Sequence, residues 1–313
     1  MLDLESRAYI IIPMIIFSLK EDKRQINDIP NSGFFLEGGK NLCFLIHGLT
    51  GTAKEMSSIG QRLNKEGYSV ASPMLSGHNQ SISILKRKSW QELYAGIKEE
   101  FLSYESTYEN IFIAGLSFGA LLGLLLAYEF PKKIRAINCY SPTLFFDGWA
   151  TPRLRVLLPL VFKTPLQYYF YLKEEYPYGI KNERLRSRIE SFYKKSDLFN
   201  YSKVHLYGYP VIPVSSMHQN HLLAQHLTRL LKEITTPIQL MQAEDDDVTS
   251  PKNSYYIYDR IGSRDKEIVL FNDSYHIIIA DQERDKVAEK TLSFFERYLP
   301  AGRQVNNANL ELS

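Results

Sequence analysis

Apolar residues come along this chain in two alternating rhythms. Short apolar runs rich in β-branched and aromatic residues alternate with longer stretches in which apolar positions recur every three or four residues. The first rhythm predicts strands and the second amphipathic helices. Strand-like runs lie at residues 33–37 (GFFLE), 41–46 (NLCFLI), 68–71, 110–114 (NIFIA), 134–140 (IRAINCY), 237–242 (PIQLMQ) and 267–271 (EIVLF). Helical spacing runs over 53–66, stopped by Gly67, over 90–104, over 120–130, stopped by Pro131, and over 286–298. Strands that take turns with helices predict an α/β fold, a mainly parallel sheet with helices on both faces. In such sheets ligands bind outside the carboxyl ends of the strands.

One segment breaks the rhythm. Residues 151–235 are helical in tendency, rich in Tyr and Phe, and carry about seven more basic than acidic residues. So long a stretch between two core strands predicts a folded helical cap. The expected organisation is an N-terminal extension over 1–32, a core over 33–150 and 236–299, the cap over 151–235 and a flexible tail over 300–313. The run at residues 9–17 (YIIIPMIIF) is too short to span a bilayer. Asp3 and Glu5 ahead of it are wrong for a signal peptide. It reads as a strand or flap on the protein, with peripheral membrane contact as the alternative, and the chain as cytoplasmic.

The strand at 110–114 leads into Gly115, Leu116, Ser117, Phe118 and Gly119, and a helix follows. A strand, a sharp turn and a helix with Ser at the apex is the setting of a G-x-S-x-G nucleophile elbow. The turn holds the Ser in a strained conformation and presents its hydroxyl at the positive end of a helix. A Ser hydroxyl needs a base, which needs an orienting acid, in the chain order Ser, acid, His. Of seven His, His276 follows the last strand and is the candidate base. Glu244, Asp245, Asp246 and Asp247 follow the strand before it; the spacing to Val248 and Pro251 favours Asp246, with Asp245 and Asp247 in competition. Two of the three Asp are expected to be solvated. The run lacks the Gly and closing Glu of a calcium loop.

The oxyanion of acyl transfer needs two backbone N–H donors. Phe118 supplies one and Leu49, in His47-Gly48-Leu49-Thr50-Gly51, the other. His47 reads as a brace for this loop, and His78 as a shaper of the neighbouring one. His218, His221 and His226 read as ordinary cap residues, since the carboxylates or Cys of a metal site are not in register with them.

Composition narrows the class further. The 313 residues are 44% hydrophobic, which excludes global disorder, and the net charge of +2 comes without a basic stripe or nucleic-acid motif. No nucleic-acid partner is expected. Cys43 and Cys139 read as buried free thiols rather than a disulfide framework.

The segments LCFLIHGLTG, IFIAGLSFGALLGLLLA, QLMQAEDDDVTSP and DSYHIIIADQERD together resemble the α/β-hydrolase superfamily. Within it, the chain looks like the bacterial carboxylesterase and monoacylglycerol-lipase group, also described as serine aminopeptidase-like hydrolases. The resemblance covers roughly residues 33–299 and implies the α/β-hydrolase fold. It also implies Ser117, Asp246 and His276 as nucleophile, acid and base, Leu49 and Phe118 as oxyanion donors, and no cofactor. The implied reaction is hydrolysis of short- to medium-chain acyl esters or monoacylglycerols. A thioesterase or methyl-esterase would use the same residues. A peptidase would add a cap acid, for which Glu174, Glu175 and Glu183 are available, and a ligand-binding module could keep the fold without turnover. The sequence does not fix the oligomeric state.

Overall fold

The computed structural model describes residues 33–78, 80–151, 157–195 and 208–300. Its strands are β1 (Phe34–Leu36), β2 (Asn41–Ile46), β3 (Ser69–Ser72), β4 (Asn110–Leu116), β5 (Ile134–Tyr140), β6 (Tyr171–Lys173), β7 (Val211–Pro213), β8 (Ile238–Ala243) and β9 (Lys266–Phe271). Its helices are α1 (Ser57–Lys65), α2 (Ile82–Leu85), α3 (Trp90–Glu105), α4 (Phe118–Glu129), α5 (Leu158–Phe162), α6 (Glu183–Lys195), α7 (Val214–Leu230), α8 (Lys252–Arg260) and α9 (Arg284–Glu296). Seven strands form one sheet in the order β1-β3-β2-β4-β5-β8-β9. β1 runs antiparallel to β3, and the remaining pairings are parallel.

The central strands are buried on both faces, which is why β2 and β4 read as near-continuous apolar runs rather than alternating ones, while β8 also buries Gln239 and Gln242. Successive side chains go to opposite faces. Leu42, Phe44 and Ile46 pack with Ile111, Ile113 and the residues of α4. Cys43 and Leu45 pack with Phe112, Ala114 and Phe295 of α9 on the other face. Both cysteines are free and buried. α4 is buried over residues 118–127 and has no polar face, so it must be covered on every side. Leu223 and Leu227 of α7 belong to the same apolar cluster and supply that cover.

Two local expectations change. The helix predicted over 53–66 is a 3-10 turn, Ala53–Met56, that passes into α1. Residues 151–235 are not helical throughout: β6 and β7 pair antiparallel, Leu172 opposite Ile212. Glu174 N–H to Pro210 O at 2.9 Å and Val214 N–H to Phe170 O at 3.0 Å extend that ladder at both ends. The apolar run at 9–17 and the tail from residue 301 lie outside the described residues. Among those described, no helix is long and apolar enough to cross a membrane.

Candidate active site

Ser117 lies between β4 and α4 with φ 57° and ψ −115°. A non-glycine residue held there costs about 1–3 kcal/mol and persists only where its surroundings impose it. Here Ser117 N–H donates to Tyr140 O at 2.8 Å, and Ala120 N–H to Ser117 O at 3.1 Å. The two flanking glycines are required by space. A Cβ at Gly115 would stand 2.4 Å from Gly119 O, and one at Gly119 would stand 2.2 Å from Ile46 O. Strand and helix therefore meet backbone to backbone around the bend, and the Ser117 hydroxyl projects from it.

His276 follows β9, and Asp246 follows β8, so adjacent parallel strands deliver the candidate base and acid to the same end of the sheet. His276 Nδ1 lies 3.1 and 3.0 Å from the two Asp246 oxygens. Asp246 is buried and well supplied with donors: the N–H groups of Val248 and Thr249 at 2.9 and 2.8 Å, and Gln242 Nε2 at 2.7 Å. With a carboxylate as its partner, Nδ1 carries the hydrogen and leaves Nε2 free to take a proton. Burial alone would lower the imidazole's pKa. The charge and hydrogen bond of Asp246, with Asp247 and Glu55 behind them, outweigh burial and raise it.

The structure separates the competing acids. Glu244 and Asp245 are exposed. Asp247 is buried, which corrects the expectation that two of the three Asp would be solvated. It accepts Gly179 N–H at 3.0 Å and His276 N–H at 3.2 Å, so it ties the β5–β8 insertion to the backbone of His276. Burial, then the charge of Asp246, pushes its carboxyl up to about 6.

The turn after β5 reaches both ends of the site. Ser141, at φ 45°, donates its hydroxyl to His276 O at 2.7 Å. Thr143 donates to Ser141 O at 3.2 Å, and its Oγ1 lies 2.7 Å from Ser117 Oγ. Ser117 and His276 share no direct hydrogen bond among the described residues; this turn joins them. Sequence reasoning missed Thr143, because nothing in the spacing of a post-strand loop marks it.

The loop after β2 runs beside the serine: a Cβ at Gly48 would stand 3.7 Å from Ser117 Cβ. Leu49 follows in that loop, and Phe118 is the first residue of α4. His47 donates from Nδ1 to Gly48 O at 2.9 Å and accepts Leu75 N–H on Nε2 at 3.1 Å. His78 donates from Nε2 to Leu49 O. Burial lowers the pKa of both rings, His78 to about 4, so they act as neutral braces of the loop.

Two acids approach this loop from opposite directions. Glu55 accepts Gly48 N–H at 3.4 Å, and Glu174, just past β6, accepts the Thr50 hydroxyl at 3.2 Å. Burial pushes Glu55 up to about 7 and Glu174, aided by the charge of Glu55, to about 8. Both line a cavity of about 300 Å³ with Tyr178, Ile189, Tyr193 and Ile277. A second cavity of about 270 Å³ shares Glu174 and Tyr178 and reaches His276, with Leu172, Ile212 and Met217 on its apolar side. Glu175 borders the second cavity, whereas Glu183 is exposed.

The other histidines sit elsewhere. Phe162 stacks on His218 at 4.8 Å, and His226 lies against Trp90 at 5.1 Å. Among the described residues, no group of three or more His, Cys, Asp or Glu is placed to hold a metal ion.

A parallel sheet of this order, with Ser, Asp and His displayed past β4, β8 and β9, has the architecture of an α/β-hydrolase. A structure described as LipS and LipT, two metagenome-derived lipolytic enzymes, superposes with a TM-score of 0.70, at 24% identity, over 86% of this chain and 99% of that one. The chain belongs to the hydrolase family described as Serine aminopeptidase, S33, whose model matches residues 39–283. It is similar to a thermostable monoacylglycerol lipase of Bacillus sp. (strain H-257), 26% identical over 265 residues, 85% of this chain and 94% of that protein. It is also similar to a carboxylesterase of Bacillus subtilis (strain 168), 24% identical over 267 residues, 84% of this chain and 96% of that protein.

Proposed function

We propose that this chain is a serine hydrolase that cleaves carboxylic esters, with short- to medium-chain acyl esters or monoacylglycerols as its substrate class. The observation that carries the reading is His276 Nδ1 seated on Asp246 at 3.0 Å, at the sheet end where the Ser117 elbow opens. His276 Nε2 takes the Ser117 proton as Oγ attacks the substrate carbonyl carbon. The carbonyl π electrons move onto oxygen, and the N–H groups of Leu49 and Phe118 receive that oxyanion. Collapse expels the alcohol, which leaves with the proton from His276, and an acyl-serine remains. Water then repeats the sequence, with His276 again as base, and releases the acid. Asp246 orients the imidazole and stabilises its charged form.

Residues 151–235 act as a cap over this centre, and 33–150 with 236–299 as the core that carries it. The cap lines the cavity with apolar side chains, Leu172, Ile212 and Met217, and with the acids Glu174 and Glu175; the apolar part suits an acyl chain. The names of the two Bacillus relatives support the same substrate class.

The test is a series of p-nitrophenyl esters and 1-monoacylglycerols of increasing chain length, run on the wild type and on Ser117→Ala. Turnover with a chain-length optimum, reduced roughly 10⁶-fold in kcat by the substitution, is the expected result. An aminoacyl anilide cleaved in place of every ester would replace the ester reading by a peptidase.

A further inference from the structure

We infer that Thr143 is a resting-state partner of the nucleophile: its hydroxyl holds the Ser117 hydroxyl in a parked pose, and attack begins when Ser117 leaves it for His276. The inference rests on Ser117 being the nucleophile.

The direction of the hydrogen bonds carries the argument. A threonine hydroxyl has one proton to donate and lone pairs to accept with. Thr143 spends its proton on Ser141 O at 3.2 Å. Either oxygen of the 2.7 Å Ser117 Oγ–Thr143 Oγ1 pair can be the donor, and only donation by Ser117 keeps both hydrogen bonds. While the Ser117 proton points at Thr143, it is not offered to the imidazole. Nucleophilic attack needs the opposite arrangement, with the serine proton aimed at the base. Rotation of the Ser117 side chain exchanges one acceptor for the other and leaves the Thr143 proton where it was.

Thr143 is not free to follow. It is fully buried, and its carbonyl accepts Asn220 Nδ2 of α7 at 3.0 Å. Its acceptor Ser141 is anchored in turn to His276 O. The parking site is thus fixed to the insertion on one side and to the base on the other. Ser117 is the movable part, and α7 sets where its resting partner stands.

The test is the rate of inactivation by a fluorophosphonate with the adduct mapped by peptide mass. In that step the Ser117 Oγ–P bond forms, the P–F bond breaks, fluoride leaves and the hydroxyl proton passes to His276. Thr143→Val removes the acceptor at nearly constant volume, and Thr143→Ala removes it without risk of crowding. Both are expected to raise the second-order rate roughly three- to tenfold, the usual net worth of one hydrogen bond in an equilibrium. Both are expected to move the acid limb of the pH–rate profile to lower pH, since the neutral imidazole then competes with no other acceptor. Thr143→Ser, which keeps the hydroxyl, is not accelerated. A rate that is unchanged or lowered in Val and Ala overturns the inference. A wild-type protein that carries no adduct on Ser117 removes the nucleophile assignment itself, an outcome visible before any Thr143 variant is read.

Discussion

Asp246 and Glu174 are both carboxyl groups drawn out of bulk water within electrostatic reach of one imidazole, and the fold equips them differently. Asp246 sits where the chain turns after β8, and that turn aims two backbone N–H groups and the Gln242 amide at it before His276 arrives. Glu174 projects from just past β6 towards hydroxyls, Thr50 Oγ1 at 3.2 Å and the Tyr193 phenol. Burial lifts Glu174 to about 8, the Glu55 charge adds to it, and the Thr50 hydrogen bond opposes it only in part. The lesson is that burial does not decide what a carboxyl does. Fixed N–H donors make one a standing acceptor for a base, whereas hydroxyl partners and a second acid leave the other holding its proton into the neutral range.

The sharpest way to break this contrast is Asp246→Asn. The amide preserves size, yet it no longer holds His276 Nδ1 as a donor. We expect kcat to fall by about 10⁴, and the melting temperature to fall as well, because the new NH2 group faces a buried donor among Gln242 Nε2 and the N–H groups of Val248 and Thr249. A loss below tenfold would mean that Asp246 does not orient the base.

The second prediction concerns stability and has a definite sign. A glutamate in the unfolded chain ionises near 4.5, and Glu174 in the folded protein holds its proton to about 8. Between those values the folded state binds more protons than the unfolded one, so stability falls as pH rises across that window and stays reduced above it. A glutamine side chain in its place has no proton to lose. Glu174→Gln is therefore expected to melt several degrees higher than wild type at pH near 9, and to show no such gain near pH 4. Parallel melting curves across that range would contradict the raised carboxyl.

The same contrast explains what the sequence disclosed. The parallel strands were legible to within a few residues; β2 and β4, buried along almost their whole length, read as near-continuous apolar runs, and the others as shorter apolar runs between turn signals. The elbow was legible because it is a five-residue motif between a strand and a helix, and its two glycines leave no room for a Cβ, which would stand 2.4 Å from Gly119 O at Gly115 and 2.2 Å from Ile46 O at Gly119. The spacing to Val248 and Pro251 favoured Asp246 without removing Asp245 and Asp247 from competition; in the structure its backbone donors lie two and three residues further along the chain. Asp247 was not legible as a buried group: its partners, Gly179 and His276, come from 68 and 29 residues away. Thr143 was hidden for the same reason, since only the folded backbone brings it to Ser117. The β6–β7 ribbon escaped notice because each strand has three residues, one of them Pro213, too few to set a period.

The central claim is that one hydroxyl, on Ser117, becomes covalently acylated. Intact-mass and peptide-mass measurement after brief exposure to a fluorophosphonate tests it most directly. The account predicts one adduct per chain, on the peptide that holds Ser117, with ester turnover lost in proportion to its occupancy. An adduct on another residue, or full turnover with Ser117 modified, would contradict it.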